Sequence, residues 1–318
     1  MNDQADNLRK AIERLGIATG IAASDVKPGA APPPGSARHS GPARVIAVSS
    51  GKGGVGKTSV SVNLALAFSE MNLKPLLVDA DVGLANVEVL FGIFPKYNLL
   101  DAVNNEKTVR EIVFDGPNGV KLISGGSGVE VFTRMAETRM APVISELAEL
   151  DDEYDIIIID TGAGISETVL GMAVAADEAV VVTTPEPTSV TDAYALIKAI
   201  VLRDRDKTVR LIINKAESEF EAAEVMSKLS QVTDKFLDLK LHKLGYILND
   251  PLVVRSVKQQ QPFILSAPNS QAAKKIRDIA RRLAERTVYA PAGAAQERGR
   301  GLSGFLGAIA KFVNVQLK

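Results

Sequence analysis

The side chains best suited to chemistry in this chain lie in eight consecutive residues, GKGGVGKT, from Gly51 to Thr58. Gly51, Gly53, Gly54 and Gly56, with Val55 between the last two, allow backbone N–H groups to turn inward around phosphate oxygens. Lys57 can then reach the β and γ phosphates, and Thr58 can offer its hydroxyl to Mg2+. The stretch lies between the apolar run VIAVSS and the helix-like SVSVNLALAFSEM, the strand and helix that such a loop requires. It reads as a nucleotide-binding P-loop. A second lysine, Lys52, directly follows the first glycine and departs from the general pattern.

Hydrolysis of a phosphoanhydride also needs carboxylates that position a metal and something that orients water. In a parallel sheet these stand at C-terminal strand ends beside the loop. PLLVDAD closes with Asp79 and Asp81, which strand alternation puts on one side. YDIIIIDT closes with Asp160 after four isoleucines, where a carboxylate is costly unless paired or metal-linked. A hydrogen-bonded structural aspartate is the alternative at Asp81 and Asp160. The glycines of DTGAGIS, beginning at Asp160, permit a loop able to sense a γ-phosphate. Asn214, ending VRLIIN, is placed to meet a base.

Positioning these groups requires a sheet. Apolar runs of strand length (ARVIAVSS, PLLVDAD, VKLIS, YDIIIIDT, EAVVVTTP, VRLIINKA and KLGYIL) alternate with helical patterns. That alternation predicts an α/β domain over about 43–289, a mostly parallel sheet with helices on both faces. Its last helix, SQAAKKIRDIARRLAERTV, turns Ala272, Ala273, Ile276, Ile279, Ala280 and Leu283 inward. Lys274, Lys275, Arg277, Arg281, Arg282 and Arg286 then face water, either as a solvated surface or as a DNA-binding stripe.

Both ends differ from this domain. Residues 3–15 space Ala5, Leu8, Ile12 and Leu15 as a short amphipathic helix within residues 1–19, with Asp3 as N-cap. Residues 20–42 are rich in Gly, Pro, Ala and Ser and predict a disordered linker. Residues 290–301 predict a second linker before a terminal helix, 302–318. On that helix Leu302, Phe305, Leu306, Ile309, Phe312, Val313 and Leu317 fall within about 140° of one another. At about 1.5 Å per residue its seventeen residues reach roughly 25 Å, too short to span a bilayer. Its apolar face suits either an anionic membrane surface or the chain's own domain. The linker before it, with Arg298, Arg300, Lys311 and Lys318 nearby, favours the membrane.

Composition sets limits. The chain of 318 residues is 46% hydrophobic, ample for a full core, and has a formal net charge of -1, so no bulk charge invites nucleic acid. The absence of cysteine excludes disulfides, thiolate-bound iron–sulfur clusters and a cysteine nucleophile. The first residues lack a signal-peptide pattern and no apolar run is long enough to span a bilayer, so a cytoplasmic protein is expected. His39 and His242 stand apart from any ligand cluster and read as solvated. LISGGSG, at 122–128, resembles the ABC-transporter signature but follows a strand, lacks its glutamine and stands far ahead of Asp160.

The P-loop with its extra lysine, VDADVGLANVEVLFG and IIIIDTGAGIS, in that order, resemble the deviant-Walker-A ATPases of the MinD/ParA class. The resemblance implies a homodimer that sandwiches ATP, with Mg2+, and releases ADP after slow hydrolysis. Lys52 would reach the partner's nucleotide, Lys57 and Thr58 would serve phosphate and Mg2+ in their own subunit, and Ser59 would contact the α-phosphate. Asp81 would polarise the attacking water, with Asp79 and Asp160 supporting the metal. Thr161 and Gly162 depart from the DSPAGIE form of cell-division MinD.

The N-terminal DQADNLR is similar to the DQAxxLR activation helix of the flagellar-number regulators called FlhG or FleN, relatives of MinD. There the resemblance implies that Asp3, Gln4, Leu8 and Arg9 engage an FlhF-type, signal-recognition-like GTPase, Gln4 entering its nucleotide site. It also implies contact with a flagellar basal-body (C-ring) protein or a flagellar transcription regulator, and ATP-dependent peripheral attachment to the inner face of the plasma membrane. A DNA-partitioning ATPase is the rival from another class, disfavoured by the membrane-type terminal helix and near-neutral charge. The absence of cysteine ligands excludes an electron-transfer reductase.

Overall fold

The computed structural model describes residues 42–81, 86–125, 141–288 and 301–316. All belong to the compact unit spanning 39–318. The expected N-terminal helix with Asp3, Gln4, Leu8 and Arg9, the N-terminal linker up to residue 41, most of the second linker and Leu317 lie outside the described residues.

Eight strands form one sheet: β1 (Arg44–Ser50), β2 (Pro75–Ala80), β3 (Val113–Asp115), β4 (Lys121–Ser124), β5 (Ile156–Ala163), β6 (Glu178–Thr183), β7 (Thr208–Ala216) and β8 (His242–Leu248). Their order is β3-β4-β2-β5-β1-β6-β7-β8, and every neighbouring pair is parallel except β3 with β4. The seven apolar runs supply the seven parallel strands. The eighth, β3, is three residues of edge strand, where Ile112, Val113 and Phe114 make too short an apolar run to announce it.

Alternation along the strands divides the core. Ile46, Val48, Leu77, Ile156, Ile158, Val180 and Val182 face α1 (Lys57–Glu70), which packs beside the long helix Gln271–Val288. In that long helix Ala272, Ala273, Ile276, Ile279, Ala280 and Leu283 are buried as their spacing demands. Val45, Ala47, Leu76, Ile157 and Ile159 point to the other face. Between α1 and the long helix, the chain contributes α2 (Asn86–Phe91), α3 (Leu99–Val103), α4 (Ala141–Glu149), α5 (Glu167–Ala175), α6 (Pro187–Arg203), α7 (Glu219–Leu237), α8 (Pro251–Lys258) and α9 (Phe263–Ser266). The long helix is therefore α10, and a last helix, α11, spans Gly301–Gln316. On the second face, α4, α5 and α11 cover β1, β2 and β5, while α5, α6 and α7 cover β6 and β7.

Of the two seats the sequence allows for the terminal helix, the chain's own domain is the one α11 occupies here. Leu302, Phe305, Leu306 and Ile309 are 3%, 4%, 3% and 1% exposed and belong to the same apolar cluster as Val45, Ile157 and Met172. Phe312 is half-buried against α5; the side chain of Val313 lies outside the description. The sheet face over β1 and β5 is apolar, and α11 covers it together with α5. Its first turn is held by the buried carboxylate of Asp151, which accepts hydrogen bonds from the Leu302 and Ser303 backbone N–H groups and from Ser303 Oγ. Such an anion satisfies otherwise orphaned donors at the helix start. Gly301 adopts φ 68°, and a Cβ there would strike the Asp151 carboxylate. Burying each large side chain of α11 stabilises the fold by about 1.5–3 kcal/mol. Leu306→Ala is thus expected to cost about 2–5 kcal/mol in denaturant unfolding, and deletion of 301–318 should lower the melting temperature by several degrees. A free terminal helix would make both changes nearly neutral.

Candidate nucleotide site

The P-loop leaves the C-terminal end of β1, at the centre of the sheet, and enters α1 at Lys57. It lines a cavity of about 720 Å³ together with Thr58, Ser59, Asp81, Asn86, Asn214, Lys215 and residues of α8. Gly51 packs against the α6 backbone so closely that a Cβ would overlap the Asp192 carbonyl, so glycine is required by the close approach. On the opposite wall, Asn214 Nδ2 donates to the Val55 carbonyl at 2.7 Å and Lys215 Nζ to the Gly54 carbonyl at 2.7 Å. The end of β7 thereby pins two successive P-loop carbonyls. Asn214 lines the cavity where a base was expected to meet it, and its amide nitrogen is engaged by the loop itself.

The register pairs Asp79 of β2 and Val48 of β1 with Asp160 of β5, so three adjacent strand ends deliver the loop and two carboxylates to one point. Asp160 is fully buried. Its Oδ1 accepts from Lys57 Nζ at 3.0 Å and from Ser61 Oγ at 2.7 Å, while its Oδ2 has no partner. Asp79 is also buried, and both its oxygens are taken by backbone: Oδ1 by Asp81 N–H and Oδ2 by Val87 N–H, each at 3.1 Å. Burial, and then the neighbouring Asp160, push the Asp79 carboxyl up to about 7. Asp79 therefore organises the segment carrying Asp81 more directly than it offers a ligand. Asp81 lines the cavity, with Asn86 Nδ2 3.3 Å from its Oδ2.

The residues present fit a hydrated Mg2+. The unpartnered buried oxygen of Asp160 beside a second carboxylate is an acceptor arrangement that a cation relieves, and Thr58 stands on the same cavity. Among the described residues no group of three or more His, Cys, Asp or Glu forms a cage. A Mg2+ here would share its shell with nucleotide phosphates, as is usual for this ion.

Lys52 points elsewhere. Its ammonium lies 2.9 Å from Glu186 Oε2 and 2.9 Å from Thr188 Oγ1, at the start of α6. It holds the Glu186 carboxyl below the usual range. The loop after Asp160 is tied to the P-loop entrance by Gly164 N–H donating to the Ser50 carbonyl at 2.8 Å, and ends at Ser166, which caps α5. Sequence reasoning missed Ser61, Glu186, Thr188 and Lys215. Ser61 carries a signal in hindsight, one helical turn beyond Lys57; Glu186 follows an apolar strand run. Lys215 had none, since its backbone φ of 57° and its reach to Gly54 exist only in the folded chain.

The sequence model of the ParA family, described as NUBPL iron-transfer P-loop NTPase, matches residues 42–284. The chain belongs to this ParA/MinD family of P-loop NTPases. This sequence contains no cysteine, and so no thiolate to hold an iron–sulfur cluster. It is 40% identical over 243 residues to the antiactivator FleN of Pseudomonas aeruginosa, covering 76% of this chain and 86% of the relative. With the flagellum site-determining protein YlxH of Helicobacter pylori it shares 34% identity over 276 residues, 86% of this chain and 92% of the other. Among solved structures, the MinC:MinD cell division complex of Aquifex aeolicus superposes with a TM-score of 0.62 at 26% identity, covering 76% of this chain and 95% of that one. Membership establishes a nucleotide-binding fold, and the geometry yields a direct test. Gly51→Ala should weaken nucleotide binding at least tenfold in calorimetric titration while Gly53→Ala, where a Cβ meets nothing within 4 Å, costs far less.

Proposed function

We propose that this ParA/MinD-family protein is an ATP-driven switch that dimerises with ATP, slowly hydrolyses it, and regulates flagellar number or placement. The observation that carries the reading is the position of Lys52. Its ammonium stands outside its own loop's phosphate cradle, on the exposed Glu186 and Thr188, where a second copy of the chain could draw it across a shared interface. Lys57 serves the phosphates of its own subunit, Ser59 the α-phosphate, and Asp81 orients water. Thr58 and Asp160, with Asp79 in support, would hold Mg2+, which would supply positive charge against the phosphates. FleN and YlxH, by their names an antiactivator and a flagellum site-determining protein, support the flagellar assignment.

Attachment to an anionic membrane then requires α11 to leave its site on the domain. The seat of α11 adjoins the helix that follows the Asp160 loop. Phe312 lies between Gly171 of α5, whose added Cβ would stand 3.0 Å from the ring, and the Arg203 guanidinium, 5.8 Å from the ring centroid. Arg203 is in turn held at 2.6 Å by Glu167, the first residue of α5, directly after the loop that follows Asp160. A shift of that loop on ATP binding would loosen the seat of α11. Among the described residues no helix is long and apolar enough to cross a membrane.

The DNA-partitioning alternative loses support on α10, where four of the six basic side chains named above are engaged. Arg277 forms a bidentate pair with Glu70 at 2.6 and 2.9 Å, Arg281 meets Asp278 at 2.7 Å, Lys275 meets Glu219 at 3.2 Å, and Arg282 donates to the Leu244 carbonyl at 2.6 Å.

Sedimentation with anionic liposomes separates the readings: the wild type should pellet with ATP and remain soluble with ADP, and DNA should not compete. Asp81→Ala should stay on the vesicles in ATP, whereas normal hydrolysis by that variant would sink the role given to Asp81. Gly171→Ala, by crowding Phe312, should pellet even with ADP. Removal of residues 1–19 should leave ATP turnover intact but abolish stimulation of an FlhF-type GTPase; full stimulation by the truncated chain would refute an activating helix.

A further inference from the structure

Asp160 is held twice through one oxygen, and the two donors have different futures when a nucleotide arrives. Lys57 Nζ, 3.0 Å from Asp160 Oδ1, is the P-loop lysine. A triphosphate entering the cradle draws that ammonium away by Coulomb attraction to several negative charges. Ser61 Oγ, 2.7 Å from the same oxygen, has no such competitor: it lies one turn further along α1, fully buried, with the Lys57 carbonyl as its other neighbour at 3.2 Å. The carbonyl already belongs to the helix, so the single hydroxyl proton goes to the carboxylate. On β2 the facing Asp79 carboxyl accepts from backbone N–H groups through both of its oxygens.

We propose that Ser61 is a positioning residue for the metal. When Lys57 moves to the phosphates, Ser61 keeps Oδ1 of Asp160 satisfied and holds the plane of the carboxylate, so that the unpartnered Oδ2 remains directed at the metal's hydration shell. Ser61 acts through Asp160 and touches neither nucleotide nor metal. The same bond eases the departure of Lys57, because the buried carboxylate it leaves behind is not stripped of every donor, and an unpaired buried charge is costly. This inference rests on the nucleotide-switch reading of the site, and it adds a residue that the loop motif does not contain.

The test is Mn2+ binding, followed by electron paramagnetic resonance, in the presence of ADP. Ser61→Ala should weaken Mn2+ affinity of the ADP complex about tenfold, as expected for a lost hydrogen bond to a charged group, with metal-free ADP affinity changed less than about twofold. Ser61→Thr, which keeps the hydroxyl, and Ser61→Val, nearly the same shape without it, form a second pair that remains informative if the alanine variant does not fold. Threonine should bind Mn2+ more tightly than valine by a similar factor. Equal Mn2+ affinity in wild type and alanine variants, or in the threonine and valine variants, overturns the role of Ser61. Failure of the wild type itself to bind Mn2+ with ADP would instead overturn the nucleotide reading.

Discussion

Two aspartates buried at the ends of neighbouring strands, with a lysine buried at the start of α1, are the constraint on which the rest of this structure depends. Lys57, Asp160 and Asp79 lie where water is excluded, and such charges persist only when each is paired or hydrogen-bonded. Lys57 pairs with Asp160, Ser61 shares that oxygen, and the backbone N–H groups of Asp81 and Val87 wrap Asp79. The arrangement needs β1, β2 and β5 in fixed register, and the sheet supplies it by burying both faces of those strands in aliphatic side chains. One oxygen remains without a partner, on Asp160. A site that is stable but electrostatically incomplete is suited to binding an external cation and polyanion together.

The loop around this centre is held from two sides by elements distant in sequence. Asn214 and Lys215 fasten the carbonyls of Val55 and Gly54, while α6 packs against Gly51 and receives Lys52 on Glu186 and Thr188. The two lysines of the motif thus have separate environments: Lys57 is enclosed in the central site, and Lys52 is held at the partly exposed start of α6. The loop after Asp160 is continuous with α5, and α5 is the principal support of α11. The Asp160 loop and the terminal helix therefore meet on a single short helix.

The loop, the strand-end acids and the alternation of apolar runs with helices were legible in the sequence because each is a local pattern with a local cause. Glycines at fixed offsets free the backbone, period-two and period-3.6 spacing sort side chains between faces, and an acid ending an apolar run has few explanations. The role of α11 was not legible. Leu302, Phe305, Leu306 and Ile309 form an apolar stripe that a lipid surface and an uncovered sheet face satisfy equally well, since both act only by removing the stripe from water. What decides is whether a matching apolar surface is vacant on the domain, and that depends on which strands β1 and β5 neighbour and on what the other helices leave open. The basic stripe of α10 was ambiguous in the same way until its partners Glu70, Glu219 and the Leu244 carbonyl came into place.

The sequence by itself determined a parallel α/β domain carrying a phosphate-binding loop, with Asp79, Asp81 and Asp160 at strand ends, because these follow from backbone freedom and periodicity within a few residues. Only the tertiary structure decided which acid keeps an unpartnered oxygen, that Ser61 and Lys57 converge on Asp160, that Lys52 rests on Glu186, and that α11 packs on the sheet. Those facts are contacts between residues tens to hundreds of positions apart. Strand order and register create them, and no local pattern encodes strand order.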